Sequence, residues 1–153
     1  MDIDQRLTAL GIALPAPTKP IAAYVPAARA GNLLLVSGQL PMKDGKLIAA
    51  GKVPSGVTIE QARTAARQCA INAMAIVKAE IGGDWSKLIR IVRLGVFVRS
   101  DDDFVDQAKI ANGASELLQE VFGEAGRHAR AAVGVNALPL GAAVELEMMV
   151  ELT

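Results

Sequence analysis

ARAAVGVNALPLGAAVELEMMVEL, residues 129–152, decides how the rest of the chain is read. Val144, Leu146, Met148, Val150 and Leu152 alternate with Glu145, Glu147, Met149 and Glu151, the period-2 pattern of a strand with one dry face. The earlier run divides in the same way. Ala131, Val133 and Val135 share one face, and Arg130, Ala132, Gly134 and Asn136 share the other. Between the runs, Leu138-Pro139-Leu140-Gly141 has Pro at the second turn position and Gly at the fourth, the pattern of a type I turn. The pattern predicts a hairpin whose non-core side carries a lone arginine and a row of glutamates, and chemistry is expected there. With the turn at Pro139 and Leu140, residue 130 falls opposite residue 149. Arg130 is then about four residues, roughly 13 Å, along the ladder from Glu145. A ligand that touches both needs a cleft between subunits or another strand crossing between them.

Upstream, Asp2 to Leu10 reads as a short helix capped by Asp2 or Asp4 and closed by Gly11, an accessory element followed by the extended connector Pro15 to Pro20. Ala22–Val25 and Leu33–Ser37 read as strands joined around Gly31-Asn32. The second is nearly all apolar and is expected at the centre of a sheet. Pro41 to Gly56 reads as a mobile surface loop with room for a short strand at Leu47 to Ala50. Thr58 and Gln61 form a capping box for a long helix that stops at Gly82-Gly83, with Ala62, Ala66, Cys69, Ala73, Ile76 and Val77 inward. Leu88–Arg99 reads as a strand with Val92, Leu94, Val96 and Val98 on its apolar face. A second helix follows from a cap at Asp102 or Asp103 to Phe122, with Phe104, Ala108, Ala111, Leu118 and Val121 inward. Two helices cover one face of a single mixed sheet. The other face, assigned Arg93, Arg99, Arg130, Glu145 and Glu147, suits a wet subunit interface.

The chain has 153 residues, read as one domain over 1–153 with residues 1–20 accessory. Sixteen basic residues balance sixteen acidic ones, so no overall field favours nucleic acid or an anionic membrane. No apolar run reaches the ~20 residues of a membrane span, and the acidic start does not resemble a secretory signal, so a cytoplasmic protein is expected. The chain is 52% hydrophobic but only 3% aromatic, an excess of small and aliphatic side chains that points to burial between subunits. Cys69 lies inside a helical pattern and reads as a buried, inert thiol.

The sequence carries few standard motifs: one histidine, no Cys/His cluster, no serine-hydrolase elbow and no phosphate loop. His128, in the Gly126-Arg127-His128 connection, reads as an exposed loop residue or a general base, and Trp85 as packing at a turn. What remains is Arg130, whose planar fork suits either a small carboxylate or an interface salt bridge, and Glu145, a base for water if partly desolvated.

At this level of detail the chain resembles the reactive-intermediate deaminase family, RidA/YjgF, also called the L-PSP endoribonuclease family. The resemblance is carried by Ala129-Arg130 with Val133, Leu138-Pro139 and Val144-Glu145-Leu146-Glu147. Tyr24-Val25-Pro26, Ser37-Gly38-Gln39-Leu40-Pro41, Val96-Phe97-Val98 and Asn112 support it. It spans Ala22 to Leu152, and the N-terminal extension and the 42–56 segment mark a longer-chain subgroup. The resemblance implies an α+β, chorismate-mutase-like fold, a homotrimer with intersubunit clefts, and hydrolysis of 2-imino or enamino acids to 2-keto acids and ammonia. It further implies that Arg130 holds the substrate carboxylate and Glu145 activates water, with Tyr24, Ser37, Gly38 and Asn112 lining or supporting the cleft. Ala131-Ala132 follow Arg130 where deaminase members often have a hydroxyl or thiol side chain, and Ala132 is implied to contact the substrate. No metal or cofactor is implied, and the partners expected are a small carboxylate metabolite and further copies of the chain. The alternatives are a non-catalytic trimer that binds such a metabolite and an RNA nuclease, against which the zero net charge and few aromatics weigh.

Overall fold

The computed structural model describes residues 2–17 and 22–153. The end of the connector predicted over Pro15 to Pro20 lies outside the described residues. In order, the elements are α1 (Ile3–Ala9), β1 (Ala27–Ala30), β2 (Leu33–Gln39), β3 (Met42–Lys43), β4 (Lys46–Leu47), α2 (Ile59–Glu80), β5 (Leu88–Arg99), α3 (Gln107–Phe122), β6 (Ala129–Val135) and β7 (Val144–Leu152).

α2 begins where its capping box predicts: Gln61 N donates to Thr58 Oγ1, and Thr58 N donates to the Gln61 side chain. Its small inner face lets the backbone approach the sheet closely. Ala62, Ala66, Cys69 and Ala73 are fully buried, and Cys69 Sγ lies 3.9 Å from Val144 O. α3 packs beside it so tightly that a side chain at Gly113 would run into the backbone carbonyl of Arg63. The two helices cover one face of a five-stranded mixed sheet in the order β1-β2-β7-β5-β6. All neighbours are antiparallel except β5 and β6, which are parallel.

The last pair overturns the predicted hairpin. β5 lies between β6 and β7, pairing Leu94 with both Arg130 and Met148. Alternation shows which residues share a face but not which strand lies alongside. Here β5, α3 and β6 form a β-α-β crossover, whose strands must run parallel. The linking segment carries Leu140 at φ 57°, with Gly141 N donating to Leu138 O at 3.0 Å, so the turn is not type I. Arg130 consequently shares the helix-covered face with Leu94 and Met148, not the open face with Glu145.

Other expectations shift by smaller amounts. Ala22–Val25 is not a strand; pairing begins at Ala27. β2 is flanked on both sides, but the centre of the sheet is β7. In β5 the pairing slips between Ile91 and Arg93, so Ile91 is buried and Val92 only half-buried, the reverse of uninterrupted alternation. α3 starts at Gln107, five residues beyond Asp102, and Ala108 faces solvent while Ile110, Ala114 and Leu117 join the core. Residues 41–56 are no loose loop. They form the β3–β4 hairpin, bridge Ala50 to Ala142 and Val53 to Ser100, and bury Val53 completely. α1 is docked on the body: Leu7 is buried, and Lys78 Nζ (2.8 Å) and Trp85 Nε1 (3.1 Å) both donate to Asp4 Oδ1.

Candidate functional site

β6 is one of the two edge strands, so its helix-side residues are only partly roofed by α3, and a charged side chain is tolerated there. Arg130 Nη1 donates both its hydrogens to α3, to Asn112 Oδ1 at 2.8 Å and Ser115 Oγ at 3.0 Å. Among the described residues, Nε and Nη2 have no hydrogen-bond partner and no carboxylate of the same chain pairs with Arg130. The open Nε/Nη2 edge is a fork suited to two parallel bonds to one carboxylate. Ala132, two residues along the same face, is half-buried against the core.

His128 is not the exposed loop residue the sequence predicts. It is half-buried, with Nδ1 2.7 Å from Gly126 O and Nε2 2.9 Å from Ser115 Oγ. Its pKa is lowered from the ordinary 6.5, first by burial and also by the nearby Arg130 charge, while the Gly126 bond opposes the shift.

Glu145 belongs to the opposite, open face. β2 bulges between Val36 and Gln39, placing Ser37 and Gly38 at the bulge beside β7. A side chain at Gly38 would overlap the Glu145 carboxylate, so glycine leaves room for that carboxylate to lie across β2. Burial, with Glu147 as a second cause, raises the Glu145 pKa above 4.5. Glu147 itself is paired with Arg93 Nη1 at 3.2 Å, whereas Glu145 has no cation bonded to it among the described residues. Ser37 Oγ donates to Val25 O at 2.7 Å and Ser37 N to Pro26 O at 2.9 Å, tying the preceding segment to β2. Tyr24 on that segment is 57% exposed.

Two separate clusters of candidate residues result: Arg130 bonded to Asn112, with Ala132 on the same face, and Glu145 lying over Gly38, with Ser37 in the same bulge. From the registers of Arg130 with Met148 and of Glu145 with Phe97 and Val133, the two lie two strands and three residues apart, about 14 Å between Cα atoms, on opposite faces. One protomer does not bring them together. A separate cavity of about 650 Å³, between α1, residues 12–17 and α2, has Asp4 and Lys78 as its charged lining among the described residues, and these pair with each other.

The family described as "YjgF/chorismate_mutase-like, putative endoribonuclease" matches residues 4–152. The chain belongs to the YjgF/RidA family. Protein TCP17 of Trypanosoma cruzi is 46% identical over 147 residues, covering 95% of this chain and 91% of that protein. The 2-iminobutanoate/2-iminopropanoate deaminase of Dermatophagoides farinae is 30% identical over 139 residues, covering 91% and 93%. The crystal structure of the Agrobacterium tumefaciens protein Atu1372 superposes with a TM-score of 0.93 at 48% identity, over 99% of this chain and 92% of that one. The mixed sheet with its helices on one face is the chorismate-mutase-like fold of the YjgF/RidA family.

Sequence reasoning missed Ser115 and misread His128. A signal for both existed: Asn112 and Ser115 are three apart on one helix, and His128 and Arg130 two apart entering one strand, so each pair shares a face.

Proposed function

We propose that this YjgF/RidA chain hydrolyses small 2-imino or enamino acids in a cleft between the subunits of a homotrimer. Arg130 of one subunit binds the substrate carboxylate, and Glu145 of its neighbour activates water. The observation that carries the reading is the Arg130 guanidinium, fixed to α3 through Nη1 alone and presenting its Nε/Nη2 edge unpaired among the described residues. Glu145, with a raised pKa and no cation bonded to it among the described residues, complements it as a general base. The similarity to an iminobutanoate/iminopropanoate deaminase supports the substrate class.

A protonated imine is already electrophilic at C2. Water adds there as Glu145 takes one of its protons; Glu145 returns that proton to the amine nitrogen, the C–N bond breaks as the hydroxyl oxygen forms the C=O, and the hydroxyl proton passes to the departing ammonia, giving the 2-keto acid and ammonium. The protein's part is to fix the carboxylate, orient the water and accept one proton.

The test is ammonia release from freshly generated 2-iminobutanoate by wild type and by Arg130→Ala. Acceleration by wild type alone supports the reading. Saturable binding without acceleration by the assembled wild type would refute catalysis and leave a carboxylate-binding protein.

A further inference from the structure

Arg130 is held by a chain of hydrogen bonds whose direction is fixed at both ends. Guanidinium Nη1 can only donate, so Ser115 Oγ accepts from it at 3.0 Å. At the far end Gly126 O can only accept, so His128 Nδ1 carries a proton and donates to it at 2.7 Å. With the imidazole neutral, the form its burial favours, His128 Nε2 is a bare acceptor and the Ser115 hydroxyl hydrogen points to it at 2.9 Å, so that the chain runs in one direction with His128 as the Nδ1–H tautomer.

We propose that Ser115 and His128 are positioning residues that hold the Arg130 fork in its carboxylate-binding orientation. Asn112 alone grips one hydrogen of Nη1 and leaves the planar group free to swing about that bond. Ser115 grips the second hydrogen and fixes the plane, and His128 prevents the hydroxyl from turning its own hydrogen toward the cation. The charged groups around this chain do not compete: α3 presents the neutral Asn112 and Ser115, and Arg127, the cation next to His128 in sequence, is turned to Glu124 at 3.5 Å. This inference rests on the reading of Arg130 as a carboxylate anchor.

The experiment measures 2-oxobutanoate affinity by calorimetry and KM and kcat for 2-iminobutanoate, in wild type, Arg130→Ala, Ser115→Ala, His128→Ala and His128→Gln. Alongside it, nitrogen NMR reads the tautomer of the chain's only histidine. Losing one such bond weakens affinity roughly five- to tenfold. Because the carboxylate is held equally before and during reaction, the loss falls on KM rather than kcat. Gln offers an acceptor near the Nε2 position, so His128→Gln recovers most of what His128→Ala loses. The NMR spectrum shows Nδ1–H. An Nε2–H tautomer, an unchanged KM in Ser115→Ala and His128→Ala, or equal impairment of the Gln and Ala variants would each overturn the inference. If wild type binds and Arg130→Ala does not, those results overturn this inference alone. If wild type neither binds 2-oxobutanoate nor turns over, the anchor reading falls and this one with it.

Discussion

Because Arg130 and Glu145 lie on opposite faces of one sheet, about 14 Å apart at Cα, two inactive variants should repair each other. In the proposed homotrimer, each cleft would take Arg130 from one subunit and Glu145 from the next. Arg130→Ala and Glu145→Gln homo-oligomers each have every cleft broken. In an equal, random mixture a cleft is intact when a Glu145→Gln subunit supplies the arginine and an Arg130→Ala subunit supplies the glutamate. That holds with chance one half on each side, so about one quarter of clefts regain both groups, whatever the number of subunits in the ring. The two variants, carrying different affinity tags, are co-expressed and the doubly tagged assemblies isolated. Ammonia release per cleft is then compared with wild type and with each variant alone. Because isolating doubly tagged assemblies removes the pure ones, each mixed trimer keeps one intact cleft in three, and a rate of about one third of wild type supports the two-subunit site. Verified mixed assemblies that stay at the level of the single variants would refute it, since a site built from one chain contains no intact copy in the mixture.

Gly38→Ala should separate activity from stability. The new Cβ displaces the flexible end of Glu145, which must move by about 1 Å or more, enough to cost on the order of 100-fold in kcat/KM. Its stability should stay within about 1 kcal/mol, because the gain from replacing glycine offsets a strained rotamer; equal loss in a urea titration and in rate would point to misfolding instead. Glu145→Gln should raise Tm at pH 7 while abolishing turnover. The fold raises the Glu145 pKa, so the stability this group contributes is present below its unfolded pKa of about 4.5 and lost as pH rises through the folded value. The Tm advantage of the Gln variant should therefore vanish near pH 4, and a lower Tm at pH 7 would contradict the assignment. Gly113→Ala should destabilise by about 3 kcal/mol in urea, since its Cβ meets α2 backbone that cannot step aside; a neutral result would mean that α2 and α3 separate easily.

Much of the molecule is legible from local pattern. The Thr58/Gln61 box, the limits of β5 and the alternation of β7 depend on neighbours within a few residues, and the structure keeps them. The dispersed residues matching the YjgF/RidA pattern, including Arg130, Glu145, Gly38 and Asn112, also stand in the sequence itself. What the sequence by itself could not decide was pairing. The period-2 pattern of residues 129–135 is satisfied beside β7 or beside β5, because alternation has no memory of which strand supplies the hydrogen bonds. Only the completed sheet puts β5 between them, turns Arg130 toward Asn112 and Ser115, and sends Glu145 to the other face over Gly38. The same limit explains His128, whose burial and bonds come from α3 and the turn at Gly126 rather than from its charged neighbours in sequence. Chemistry-bearing side chains were named by the sequence because their types are local; which of them meet was decided by contacts between elements distant along the chain.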